Sequence, residues 1–200
     1  MTILQTHRAE FLRAIENFHF ERAGAGLYFP KQKVHIGGIF ECEVRDPDGE
    51  LLAPRQIAPN LVVDQALNDI LGVYLVGGAQ TTAFYIAPFS GNVSPAAGWT
   101  GANFASNATE YVNYSESGRQ PWTPGSVASK SVDNTGSPAV FTITSGPATL
   151  RGAGVLSSAT RSGTSGILVA ATRFPTDITG IPTASTAGIK YTFQASDDGV

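Results

Sequence analysis

The chain has 200 residues, 42% of them hydrophobic and 14% charged, with a formal net charge of −3, so it is long enough to bury one ordinary core. So few charges, with acid in slight excess, supply no basic field for nucleic acid and no cationic face for a membrane surface. The single cysteine, Cys42, excludes an intrachain disulfide, and its place among apolar neighbours suits a buried, inert thiol.

Met1 to Phe20 carries His7, Arg8, Glu10, Arg13 and Glu16. It lacks the apolar core of a signal peptide and the length of a membrane span, so the chain is expected to be made in a cytoplasm and to stay soluble. Within it Phe11, Ile15 and Phe18 recur at helical spacing with Arg8, Glu16 and Arg22 beside them, and Gly24, Gly26 and Pro30 stop the pattern. This apolar stripe is read as an interface, against the body of the same chain or as an arm on a neighbour. His7 and His19 lie more than three helical turns apart and cannot share a metal.

Residues 31 to 58 predict a hairpin. Phe40, Cys42 and Val44 alternate with Glu41, Glu43 and Arg45 before a turn at Asp46-Pro47-Asp48-Gly49. His35 belongs on the polar face of that strand. Asp46, Asp48 and Glu50 share part of the spacing of a calcium loop but lack its third oxygen ligand and its distal bidentate Glu, and turn chemistry accounts for the stretch without a metal. Residues 59 to 76 predict the clearest helix, with Pro59-Asn60 as a start, Asp64 in the first turn, Val63, Leu67, Ile70 and Tyr74 as the packing stripe, and Gly77-Gly78 as the stop.

Beyond Gly78 the chain is mainly Gly, Ser, Thr, Ala, Pro and Asn, broken by short apolar runs. Strands are expected near 82–90, 109–114, 127–133, 139–145, 148–157, 166–174 and 188–195, with turns at 134–138, 162–166 and 183–185. Short strands at this spacing predict a mainly β fold, a β-sandwich of immunoglobulin-like or jelly-roll-like type with one packed helix and an N-terminal helix and hairpin extension. The division expected is a docking extension over 1–58 and a sandwich over 59–200. The irregular stretch from Ser90 to Thr123 holds Trp99, Tyr111, Tyr114 and Trp122, which either pin a long loop, fill a subunit interface or offer flat faces to a glycan; pinning or interface is favoured.

Catalytic templates fail for want of parts. The three histidines all precede residue 36, away from the serine-rich region, and no Gly-x-Ser-x-Gly elbow occurs. Zinc lacks paired Cys or His ligands, and a nucleotide lacks its Gly-rich loop with a Lys-Ser/Thr ending. A carboxylate pair of glycosidase type would have to come from Glu110, Glu116, Asp133 or Asp177, none singled out by its setting. The expectation is no enzyme, no cofactor and no metal.

Asn60-Leu61-Val62-Val63-Asp64-Gln65-Ala66-Leu67-Asn68-Asp69-Ile70-Leu71 followed by Thr82-Ala83-Phe84-Tyr85-Ile86-Ala87-Pro88-Phe89 resembles small structural proteins from the virion modules of tailed bacteriophages. Arg119-Gln120-Pro121-Trp122-Thr123-Pro124-Gly125 and Thr149-Leu150-Arg151-Gly152-Ala153-Gly154-Val155 are similar to segments that recur in that group. The likeness covers roughly residues 59 to 195 and contains no catalytic motif. It implies a virion part of neck, collar or decoration type, a homo-oligomer that contacts portal, connector or capsid proteins and neither nucleic acid nor membrane. A glycan-binding fibre or spike module is the alternative from a different class.

Overall fold

A computed structural model of the chain describes residues 20–22, 28–30 and 34–197, the first two segments as backbone only. Phe11, Ile15 and Phe18, with the helix expected around them, lie outside the described residues, as do His7 and His19. Arg22, expected beside that helix, is instead in strand β1 (Phe20–Arg22), which pairs antiparallel with β2 (Tyr28–Pro30). Gly37–Gln194 form one compact unit, distinct from the residues that flank it.

This unit holds two sheets. The first has the order β5-β11-β10-β6-β7, built from β5 (Leu61–Val62), β6 (Phe84–Phe89), β7 (Gln120–Trp122), β10 (Ala148–Leu156) and β11 (Leu168–Ile181). The second has the order β4-β3-β12-β8, from β3 (Val34–Arg45), β4 (Gln56–Pro59), β8 (Ser131–Asp133) and β12 (Thr186–Asp197), with β9 (Ala139–Thr142) also pairing β12. The fold is thus mainly β, two antiparallel sheets packed as a sandwich, with helices α1 (Asp64–Val76) and α2 (Phe104–Ala108).

One difference from the sequence reading concerns the division at residue 58. Strand β3 lies beside β12, and β4 pairs β3 from Ile39↔Pro59 to Cys42↔Gln56, so the hairpin assigned to the extension is part of the sandwich. The cause is its alternation. Phe40, Cys42 and Val44 point into the core shared by the two sheets, together with Ile86, Phe141, Leu150, Val155, Phe174 and Tyr191. Burial pushes the Cys42 thiol up to about 12, with Glu43 adding to the shift, so the thiol is inert at neutral pH.

The outer face of the first sheet carries a second core. Ala87, Phe89, Leu156, Leu168 and Ala171 from the strands meet Val63 and Ala66 of the α1 entry, Trp99, and Phe104 and Ala108 of α2. Strand β10 is therefore buried on both faces. Gly152 and Gly154 make this possible. A Cβ on Gly152 would lie 2.2 Å from Phe89 Cζ and 2.2 Å from the Thr172 carbonyl, and one on Gly154 would lie 2.7 Å from Phe104 Cε2. Adding a methyl group at Gly152 forces a ring and a neighbouring strand to move together, so Gly152→Ala is expected to lose about 1–3 kcal/mol. Urea denaturation of the two proteins checks this, and an unchanged midpoint would show that the layer can give.

Candidate interaction surface

Each aromatic residue singled out in the Ser90–Thr123 stretch has a place in the packing. Trp99 is buried edge-on to Phe104, with ring centroids 6.3 Å apart. Tyr111 is buried, and its hydroxyl donates to the carbonyls of Asn113 (3.1 Å) and Ser145 (3.3 Å). Tyr114 packs edge-on against Phe141 at 4.9 Å and lies under the Arg161 guanidinium at 4.0 Å; burial pushes its phenol up to about 12. Trp122 is half-buried against Phe84 and Tyr191, and its Nε1 donates to the Tyr191 carbonyl at 3.0 Å. With three of the four buried and each on different neighbours, they form no open platform for a sugar ring.

The loop that carries them is braced from beneath by a buried ion pair. Arg119 Nε donates to Glu110 Oε1 at 2.8 Å and Arg119 Nη2 to Glu110 Oε2 at 2.7 Å, with side chains 0% and 1% exposed. Further bonds reach from Arg119 to the Ser158 and Gly163 carbonyls, and the Ser162 N–H donates to Glu110 Oε2. Both charges are thus paired and their remaining valences satisfied, which is the condition for burying them.

The other carboxylates considered as catalytic are likewise occupied with separate partners. Both Glu116 oxygens accept from the Thr142 N–H, and Asp133 Oδ1 accepts from the Thr135 N–H at 2.7 Å. Asp177 lies between Arg151 (2.8 Å) and Arg173 (2.7 Å); above all, the Arg151 bond holds its carboxyl below the usual range. Asp46 closes its own turn by accepting from the Asp48 and Glu50 N–H groups. Among the described residues no group of three or more His, Cys, Asp or Glu is gathered to hold a metal ion, and no helix is long and apolar enough to cross a membrane.

Among the described residues, α1 leaves several large apolar side chains exposed. The helix is tied down at its start: the Val63 N–H donates to the Val169 carbonyl, the Asp64 N–H to the Ala97 carbonyl, and Gln65 Oε1 accepts from the N–H groups of Gly101 and Leu168. Asn60 is not its cap. The residue before the helix is Val63, without a side-chain cap, and Asn60 Nδ2 donates instead to the Tyr191 hydroxyl. The expected stripe also divides. Val63 is buried and Ile70 half-buried, whereas Leu67 is 37% and Tyr74 86% exposed, joined outside by Leu71 (54%), Leu75 (69%) and Val76 (84%). Gly77, in the left-handed region at φ 74°, ends the helix, and the Gly78 N–H reaches back to the Gly72 carbonyl.

Beside the helix, Ala66, Asp69 and Ile70 line a cleft of about 250 Å³ with Phe84, Trp122 and Phe193 among its walls. A smaller groove of about 190 Å³ crosses the outside of the second sheet at Glu41, Glu43, Arg45 and Lys190, where Arg55 pairs with Glu41 (3.1 Å) and Glu43 (2.9 Å). The exposed helix face was missed from sequence because it obeys the same spacing as a buried one. Its signal was the unbroken apolar run Ile70–Val76, too wide for a one-sided helix.

No protein-family model matches the chain, and no curated protein matches it.

Breaking the buried ion pair from one side leaves a charge with no water to solvate it. Glu110→Ala is expected to lose about 3–5 kcal/mol, and the double substitution Glu110→Leu with Arg119→Met to recover most of that loss. Equilibrium unfolding of the three proteins checks both outcomes.

Proposed function

We propose that this chain is a non-enzymatic structural component of a tailed-phage virion, a neck or collar part at the head–tail junction that assembles as a homo-oligomer with portal, connector or capsid proteins around it. The observation that carries the reading is the contrast within one molecule. Many of its polar side chains are engaged in holding loops, whereas α1 leaves Leu71, Tyr74, Leu75 and Val76 more than half exposed. Apolar surface of this extent marks a place where another protein sits.

The segments that carry the phage resemblance also belong together in space. Asn60–Leu71 forms β5 and most of α1, Thr82–Phe89 contains β6, Arg119–Gly125 contains β7, and Thr149–Val155 lies in β10. Strands β10, β6 and β7 are consecutive in the first sheet, and α1 packs on β11, the strand next to β10. A shared pattern at these positions therefore supports a shared layer, sheet plus helix. Burial of Trp99, Tyr111 and Tyr114 within their own chain, with Trp122 half-buried, favours assembly over a glycan-binding role.

Gold-labelled antibody against this chain, imaged by electron microscopy on purified phage particles, tests the placement. Label confined to the head–tail junction is expected. Label spread over the head would replace the neck role with decoration, and particles without label would overturn the virion reading.

A further inference from the structure

We propose that the outward face of α1 is a self-association surface, on which the same helix of a second copy docks antiparallel across a two-fold axis passing close to Leu71. The inference rests on the homo-oligomer part of the reading above and is independent of where in a particle the chain sits.

The first argument is the need for cover. From Ile70 to Val76 every side chain is apolar apart from the Tyr74 hydroxyl, and the inner side of the helix is already packed through Val63 and Ala66. A helix apolar all round belongs in an interior, yet Leu71, Tyr74, Leu75 and Val76 are each more than half exposed. Val76 lines a groove with Asp69 and Val73 on another side of the helix, so the outward face is Leu67, Leu71, Tyr74 and Leu75, roughly 450 Å² per copy and the size of a monomer's largest patch. Two such faces joined bury about 900 Å², the size of a weak, micromolar contact.

The second argument selects the occupant. Leu67, Leu71 and Leu75 recur every fourth residue and form a ridge symmetric about Leu71. An isologous contact needs this self-complementarity, because each residue meets its symmetry counterpart. With the axis at Leu71, Leu71 meets itself, Leu67 meets Leu75, and the Tyr74 hydroxyl comes over Asn68, an exposed amide able to accept or donate a bond. Ridges of this four-residue repeat interdigitate in the commonest class of helix packing, with axes 8–10 Å apart. A different partner would place no such demand on the symmetry of the ridge.

The third argument is electrostatic. The only charged side chains on α1 are Asp64 and Asp69, and the next charge along the chain is Glu110. Asp69 lines the cleft beside the helix, away from the ridge. Asp64 would come opposite Gly78, so two copies meet without like charges in contact.

The test is the mass of the purified full-length chain by sedimentation velocity over about 1–100 µM, a range that resolves micromolar self-association. The wild type is expected as a dimer or a multiple of it, and Leu71→Glu as a monomer, with the dissociation constant raised at least about tenfold. Should Leu71→Glu fail to fold, the pair Tyr74→Ser and Leu75→Ser, on more exposed side chains, gives the same reading. Leu71→Cys is expected to form a covalent dimer on mild oxidation while Thr82→Cys does not, Cys42 being buried and unreactive. A monomeric wild type, or an oligomer that survives Leu71→Glu in a folded protein, overturns the proposal. Unlabelled phage particles would sink the virion reading and leave this surface standing, whereas a monomeric chain would sink the surface and the homo-oligomer with it.

Discussion

The architecture depends on one strand being closed on both sides. Strand β10 sends Leu150, Ala153 and Val155 into the core between the sheets and turns Leu156 to the second core, under α2 and Trp99. Gly152 and Gly154 are the points where two aromatic rings rest directly on backbone. A strand with side chains at those positions would hold the outer layer off the sheet. Phe89 and Phe104, which meet edge to face at 6.3 Å, would then lose the surface that aligns them. Register shifts along β10 and β11 let the strand reverse which residues face which core without breaking the ladder.

From that layer outward, order is passed on by polar groups. The long stretch after β6 has little regular structure of its own, and it is held by the Glu110–Arg119 pair, by Tyr111 and by Arg161 donating to the Val112 carbonyl. Asn134 does the same at the other end of the sandwich. It is buried, donates to the Ser137 and Ile189 carbonyls and accepts from the Tyr191 N–H. Groups spent in this way fix the loops in place, because each is already committed to partners within the chain.

Much of this was legible in the sequence, and the failures have physical causes. The alternation of Phe40, Cys42 and Val44 and the αL stop at Gly77 follow from local periodicity and turn chemistry, and the strands expected near 82–90, 148–157 and 166–174 appear as Phe84–Phe89, Ala148–Leu156 and Leu168–Ile181, the last running on well past 174. The strand expected over 109–114 is absent. Helix α2 ends at Ala108, Thr109 takes a positive φ of 52°, and only isolated bridges form at Glu110 and Tyr114. The strand expected from 127 begins at Ser131, because Ser129 and Lys130 both have positive φ and form a turn. Neither event has a glycine to announce it. The ion pair was invisible for another reason: Glu110 and Arg119 look like ordinary charges until the serine-rich loop at 158–163 folds over them.

The ambiguity of α1 is of a different kind, and it bears on function. Helical periodicity reports that a face is to be covered and is silent about whether the cover is the same chain or another. Val63, Leu67, Ile70 and Tyr74 satisfy one template, and Leu67, Leu71 and Leu75 satisfy another with equal force. The sheet takes neither stripe whole: it receives Val63, Ala66 and part of Ile70, because Gln65 and the backbone bonds at Val63 and Asp64 fix the helix by its first turn and set its rotation. Once that rotation is set, the leucine ridge must face outward. Four hydrogen bonds at one end of a helix thus decide which apolar side chains become core and which stay exposed.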